Sequence, residues 1–373
     1  MLDEPINVLH VFGHFDRGGA ESMVMNLFRF IDHSKVKFGF VVHGEKVGAF
    51  EKEVMSMGAE VFRVPNYKGT NHFEYKKAWN NILKNNPKYS IIHGHVRSTA
   101  NVYLKMAKKK GLKTISHSHS TSSGKGISAK IKNLFQYGIR YHADEFLACS
   151  VEAGKWLFGE KICSKETFHV LNNAIDTSMY SFNKDIRERK RKELGLENHF
   201  TVGHVGRFHE AKNHDTILEV FYEIQKINTN AILLLVGEGQ LIEQTKRKAE
   251  KLSIDDKVVF LGARSDVNEL LQAMDVFLFP SLFEGLPVTL VETQAAGLPA
   301  VVSENITSEI KITDLIDFVS LEESYQKWAS IVLEKINQTQ RKNTKKQIIS
   351  AQYDIAVTSK WYTKFIIELE KRK

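Results

Sequence analysis

Cysteine is nearly absent from this chain: two in 373 residues, Cys149 and Cys163, with no Cys-x-x-Cys pair. That excludes a disulfide framework and points to a reducing compartment with buried or idle thiols. Long apolar runs are also missing, for none approaches the roughly 20 residues that a membrane-spanning helix needs. The opening Met-Leu-Asp-Glu-Pro-Ile-Asn has no basic-then-apolar signal-peptide pattern. Together these absences predict a cytoplasmic protein. No helix-turn-helix, zinc-finger or aromatic RNA-binding strand pattern occurs, so nucleic acid is not an expected partner.

What is present is an ordinary α/β composition, 42% hydrophobic and 10% aromatic. The length is large for one core and predicts two domains. Charge is unevenly placed. Residues 1–180 hold 25 Lys+Arg against 16 Asp+Glu, whereas residues 181–373 hold 27 against 28. The whole net charge of +8 therefore belongs to the first half. Its lysines concentrate at Lys105, Lys108, Lys109, Lys110 and Lys113, and again at Lys125, Lys130 and Lys132 around a glycine-containing loop. They read either as a solvated face or as a docking patch for an anionic membrane surface.

Apolar, β-branched runs alternate with helical periodicity along the first half. They fall at Ile6–Phe12, Phe38–His43, Glu60–Val64, Ser90–His93, Thr114–Ser116 and Glu145–Ala148. A parallel, doubly wound sheet follows. Between the first strand and the helix from about Ala20 stands Asp16-Arg-Gly-Gly-Ala-Glu21. Gly18 and Gly19 allow an anion close to a helix N-terminus, or make only a tight turn. The pattern is not Gly-x-Gly-x-x-Gly, which disfavours a dinucleotide. Two pairs, His93-Gly-His95 and His117-Ser-His119, sit at strand ends, where ligands of open sheets gather. A metal is not expected there, because no cysteine or third ligand stands at short spacing.

Lys184 to Lys192 reads as a solvated linker helix, after which Phe200–Val205 opens a second series. It continues through Ala231–Val236, Val258–Leu261 and Val276–Phe279. Gly206-Arg207 and Lys212 follow its first strand and can together neutralise a diphosphate. Gly237-Glu-Gly239 is a close-approach turn. Pro280 to Ser303 then reads Pro-Ser-Leu-Phe-Glu-Gly-Leu-Pro-Val-Thr-Leu-Val-Glu-Thr-Gln-Ala-Ala-Gly-Leu-Pro-Ala-Val-Val-Ser. Pro287 suits the first turn of a helix running to about Ala296, and Gly297 a left-handed cap. Glu284 then lies in the loop before the helix and Glu292 within it, with free N–H groups between them. A ligand with hydroxyls at both ends and a diphosphate in the middle fits that spacing. Beyond Ser303 the signals weaken. Arg341 to Lys346 reads as a solvated tract, and Trp361, Phe365 and Leu369 as the stripe of a last helix.

The punctuated Pro280–Ser303 string, with Gly206-Arg-x4-Lys-Asn213 and Asn172-Asn-Ala-Ile-Asp176, resembles the retaining glycosyltransferases of family four. The wording of the first half resembles those of bacterial capsule and exopolysaccharide synthesis. The resemblance implies a GT-B fold, two Rossmann-like doubly wound domains facing a central cleft. It would place an acceptor domain at 1–180 and a donor domain at 181–354, with a helix over about 355–373 packing back on the first. The implied reaction moves a sugar, with retention, from a nucleotide-sugar to a saccharide or polyprenyl-diphosphate-linked acceptor at the inner face of the membrane. UDP is the expected nucleotide, with GDP as the alternative.

By the same resemblance Arg207 and Lys212 would stabilise the departing diphosphate. Glu284 would hold the donor sugar, and Glu292 the ribose. His119 would face the transferred sugar, with His117 its near rival and His93 and His95 on the acceptor side. Donor contacts would come from Gly18, Gly19, Gly206, Gly237, Arg264, Gly285, Leu286, Pro287 and Val288. No Asp-x-Asp occurs in the chain, so neither a bridging metal nor a cofactor is expected. The alternatives are a non-catalytic subunit of the same fold and a sugar-nucleotide epimerase. A glycoside hydrolase also uses two carboxylates, but it has no need of a phosphate seat.

Overall fold

The computed structural model describes residues 4–16, 18–120, 136–338 and 341–372. The chain forms two compact units, Met1–Ala174 with Ile355–Lys373, and Ile175–Asp354. The lysines expected at 125, 130 and 132, and Arg17, lie outside the described residues.

The first unit is built on a seven-stranded parallel sheet in the order β3-β2-β1-β4-β5-β6-β7. Its strands are β1 (Ile6–Phe12), β2 (Val36–His43), β3 (Val61–Val64), β4 (Tyr89–Gly94), β5 (Lys113–Ser118), β6 (Glu145–Ala148) and β7 (Phe168–Val170). Helices cover both faces, so the strands are apolar on both sides. Ile6, Val8 and Phe12 pack with Met23, Val24, Leu27 and Phe28 of the helix Gly19–Phe30. Leu9 and Val11 belong to the opposite cluster, with Trp79, Tyr103 and Leu104. The helix Ile355–Lys371 joins the first of these cores through Tyr362, Phe365, Ile366 and Leu369. Trp361, expected in its buried stripe, is instead 37% exposed and stacks on Phe365 at 5.2 Å. Both cysteines are free thiols, Cys149 being buried.

The second unit carries a six-stranded parallel sheet, β10-β9-β8-β11-β12-β13. These strands are β8 (Phe200–Val205), β9 (Ala231–Val236), β10 (Val258–Gly262), β11 (Val276–Phe279), β12 (Ala300–Ser303) and β13 (Ile316–Val319). In each sheet the strand order reverses beside the first strand of the unit, the place where open α/β sheets hold ligands at their carboxyl ends.

Two expectations are corrected here. The helix Lys184–Glu193 is not a solvated linker. Arg187 donates to the Gln272 and Met274 carbonyls, and Arg191 to that of Ala273, each at 2.8 Å. Lys190 pairs with Asp266 and Glu269 at 2.9 and 3.0 Å. Arg187, Lys190 and Arg191 are thus spent on the acidic residues and helix ends of their own unit, while Lys184, Arg189 and Lys192 stay exposed. Nor is the tract from Arg341 solvated throughout: Lys342, Asn343 and Lys346 are exposed, but Arg341 and Thr344 are drawn into the unit. The Arg341 guanidinium donates to the carbonyls of Ala296 at 3.0 Å and Leu271 at 2.8 Å, and also to Met274. It thereby serves the C-terminal ends of the helices Val288–Ala295 and Val267–Ala273, whose last carbonyls have no intrahelical partner. Burial draws its pKa down to about 9.

Candidate active site

In the second unit, β11 leads through the Glu284 loop into the helix Val288–Ala295 and on to β12. Pro287 is the N-cap rather than a helical residue, at φ −74° and ψ 105°, and no side chain caps the helix. Leu290 N–H turns back to the Pro287 carbonyl at 3.0 Å, and the N–H groups of Val288 and Thr289 receive no cap from the N-cap side chain, the condition for seating an anion. Gly297 ends the segment at φ +62°, as its position predicts.

Glu284 and Lys212, named separately from the sequence, come together. Lys212 Nζ lies 2.7 Å from Glu284 Oε1, and each side chain is 17% exposed. The ammonium also sits 4.7 Å from the centroid of the Phe279 ring. A cation held between a carboxylate and an aromatic face is fixed in place. Glu292 accepts a hydrogen bond from the Tyr180 hydroxyl at 2.7 Å, and burial raises its pKa. Gly285, Leu286 and Val288 line the same turn. Leu286 and Val288 pack into the core beneath it, which fixes the loop.

The turns after β8 and β9 meet closely. Gly237 has φ +140°, and a Cβ there would stand 2.1 Å from the Gly206 carbonyl oxygen, so only glycine fits. Gly206 N–H donates to Val236 O at 2.9 Å and Gly237 N–H to Gly262 O at 2.8 Å, binding the ends of β8, β9 and β10 together. Arg207 is exposed and forms no ion pair among the described residues. Arg264 differs. Its Nε and Nη2 both donate to Asp266, at 2.8 Å each, so its charge is already answered within the unit. His204, not foreseen from the sequence, sits behind Gly206. Its Nδ1 meets Leu278 O at 2.9 Å, and burial pushes its pKa well below the usual value.

In the first unit Gly18 is the N-cap of the helix Gly19–Phe30, again with no side-chain cap. A Cβ on Gly18 would lie 2.2 Å from Glu21 Oε2. The expected anion seat is thus approached by the chain's own carboxylate, whose pKa is raised by burial.

The two histidine pairs form one cluster with His10, which the sequence reading missed. His10 pairs with His93 in the β1–β4 register. His10 Nδ1 lies 3.0 Å from His95 Nε2, and His95 Nδ1 lies 2.8 Å from His119 Nε2. A second line runs from the Tyr362 hydroxyl to His93 Nδ1 at 2.8 Å, and from His93 Nε2 to His117 Nδ1 at 3.2 Å. Burial brings His10 and His119 down to about pKa 3, and drives His93, His95 and His117 well below their usual value. All five rings are neutral at physiological pH, each with one N–H and one lone pair to place. One signal could have exposed His10: it is the one polar residue in phase with Ile6, Val8 and Phe12.

The family described as Glycosyltransferase Family 4 matches residues 17–179, and that described as Glycosyl transferases group 1 matches residues 186–350. EpsF of Bacillus subtilis (strain 168), which carries a glycosyltransferase name, is 34% identical over 331 residues, 87% of this chain and 86% of that one. The capsular polysaccharide biosynthesis glycosyltransferase CapH of Staphylococcus aureus is 24% identical over 342 residues, 89% of this chain and 91% of its own. The UDP-Gal:alpha-D-GlcNAc-diphosphoundecaprenol alpha-1,3-galactosyltransferase of Escherichia coli is 28% identical over 229 residues, 58% of each chain. Among solved structures, Anabaena HepE in complex with UDP matches in fold with a TM-score of 0.79. It covers 98% of this chain and 100% of that one at 18% identity. Two parallel α/β units, the two family matches and a relative alike over most of its length lead to one assignment: the chain belongs to the family-four glycosyltransferases and has the GT-B fold.

Proposed function

We propose that this glycosyltransferase moves a sugar from a UDP-sugar to a lipid-diphosphate-linked saccharide, with retention at the anomeric carbon, in capsule or exopolysaccharide synthesis. The observation that carries the proposal is the placed Lys212 ammonium beside Glu284, in the unit that also bears the uncapped helix start at Val288. Lys212 and Arg207 stabilise the charge that develops on the departing diphosphate. The N–H groups at the helix start seat a phosphate. Glu284 receives donor-sugar hydroxyls and Glu292 the ribose, while His119 faces the transferred sugar with His93, His95 and His117 on the acceptor side. No metal is required at the diphosphate, because cationic side chains take that role. The nucleotide is supported by the complex of HepE with UDP, and the acceptor class by the printed name of the Escherichia coli relative.

The test is stereochemical. Purified protein is given an α-linked UDP-sugar and a diphosphate-lipid saccharide, and the new linkage is read by NMR. An α-linked product is expected, with turnover unchanged by EDTA. A β-linked first product overturns retention. Turnover with GDP-sugars alone overturns the nucleotide.

A further inference from the structure

We propose that His95, His117 and His119 form a binding site for one divalent transition-metal ion, of the zinc class, in the first unit. One nitrogen from each of these rings lies within 4.8 Å of the other two. Imidazole ligands at about 2.0–2.1 Å from a tetrahedral ion stand roughly 3.3 Å apart, so binding asks for side-chain adjustments that change the nitrogen separations by at most about 1.5 Å. The His95 Nδ1–His119 Nε2 contact of 2.8 Å would open, and the two lone pairs would turn to a shared ion.

The alternative to an ion leaves a nitrogen unmet. Of the nitrogens that would face the ion, His117 Nε2 is buried without a hydrogen-bond partner, and the ion would meet it. Buried polar atoms without partners are uncommon and call for a physical reason, an absent ion among them.

A second triad, His10, His93 and His95, has the same mutual reach. It is enclosed, with His10 and His93 at 0% exposure, whereas the outer triad includes His119, which is only partly buried. Arg97, stacked on Trp156 at 4.6 Å, contributes to the lowering at His119 and opposes a bare dication. It favours an ion whose fourth position holds an anion. The sequence reading set a metal aside for want of a third ligand at short spacing. The third ligand comes from the neighbouring strand, where spacing along the chain cannot reveal it.

The full chain, freed of metal by dialysis, is titrated with Co²⁺ in chloride buffer and then with Zn²⁺. One equivalent of Co²⁺ should give the visible absorption of a tetrahedral site and be displaced by Zn²⁺. Affinity should fall at least about tenfold in His95→Gln, His117→Gln and His119→Asn, and stay unchanged in His199→Ala. His119 lies at the rim, so its variant remains informative where an interior one fails to fold. Absence of saturable binding to the wild type overturns the proposal. So does affinity that survives His119→Asn but is lost in His10→Gln, which would move the ion to the inner triad. The ion would engage His119, the ring proposed above to face the transferred sugar, but the readout is Co²⁺ absorption rather than turnover, so failure of binding leaves the proposed reaction standing.

Discussion

Lys212 has two partners competing for it, the Glu284 carboxylate at 2.7 Å and the diphosphate it is proposed to meet. Lys212→Ala is expected to lower kcat by about 10²–10³, the usual loss of a placed electrostatic group. It should also destabilise the fold by leaving Glu284 unpaired at low exposure. In a Glu284→Gln background the stability loss should shrink, giving a coupling of about 0.5–3 kcal/mol in a double-mutant cycle. Additive losses would mean that the pair is incidental. The carboxylates themselves divide by task. Calorimetry should show Glu292→Ala weakening UDP binding most, Tyr180→Phe less so, and Glu284→Ala least, with Glu284→Ala instead blurring choice among donor sugars. The reverse ranking would exchange their roles. Glu284, Glu292, Arg207 and Lys212 were legible in the sequence because glycine and proline punctuate the turns that carry them. Tyr180 was not, since it stands 112 residues from the carboxylate it serves. His10 was hidden in the same way, its neighbours lying on another strand.

At the scale of elements, the buried strands Phe200–Val205, Ala231–Val236 and Val276–Phe279 could be read directly, because continuous apolar runs between turn signals have few other uses. Phe168–Val170 and Ile316–Val319 escaped notice. The one is three residues long, and the other carries Asp317 and lies at a sheet edge. Charged composition misled at Lys184–Glu193 and at Arg341, where the same residue types that solvate a surface instead serve helix ends. Arg341→Met tests that reading. It keeps the apolar stem while stripping three carbonyls of their donor. Unmet buried acceptors cost about 1–3 kcal/mol each, so chemical denaturation should show a loss of about 3 kcal/mol or more. A loss under about 0.5 kcal/mol would return Arg341 to the surface.

For the whole molecule, the excess positive charge belongs to residues 1–180, and among the described residues no helix is long and apolar enough to cross a membrane. Lys105, Lys109 and Lys110 are exposed, whereas Lys108 is already paired with Asp144 at 2.6 Å. At about 1 kcal/mol for each basic residue near an anionic surface, the free lysines together support reversible docking. The expected outcome is co-sedimentation with anionic but not neutral vesicles, lost at high salt and in the Lys105/Lys109/Lys110→Glu triple variant. Equal pelleting with both vesicle types, or none with either, would assign these lysines to solubility alone. The division of the chain has a consequence in time. The second unit is continuous, Ile175–Asp354, while the first is closed by the helix Ile355–Lys371, which is synthesised after it. At roughly 5–20 residues per second, translating the second unit takes some ten to forty seconds. Throughout that interval the nascent β1 face lacks Tyr362, Phe365, Ile366 and Leu369, the residues that cover it. The unit begun first is therefore completed only after the second has been made, and until then its β1 core face is left uncovered by its own chain.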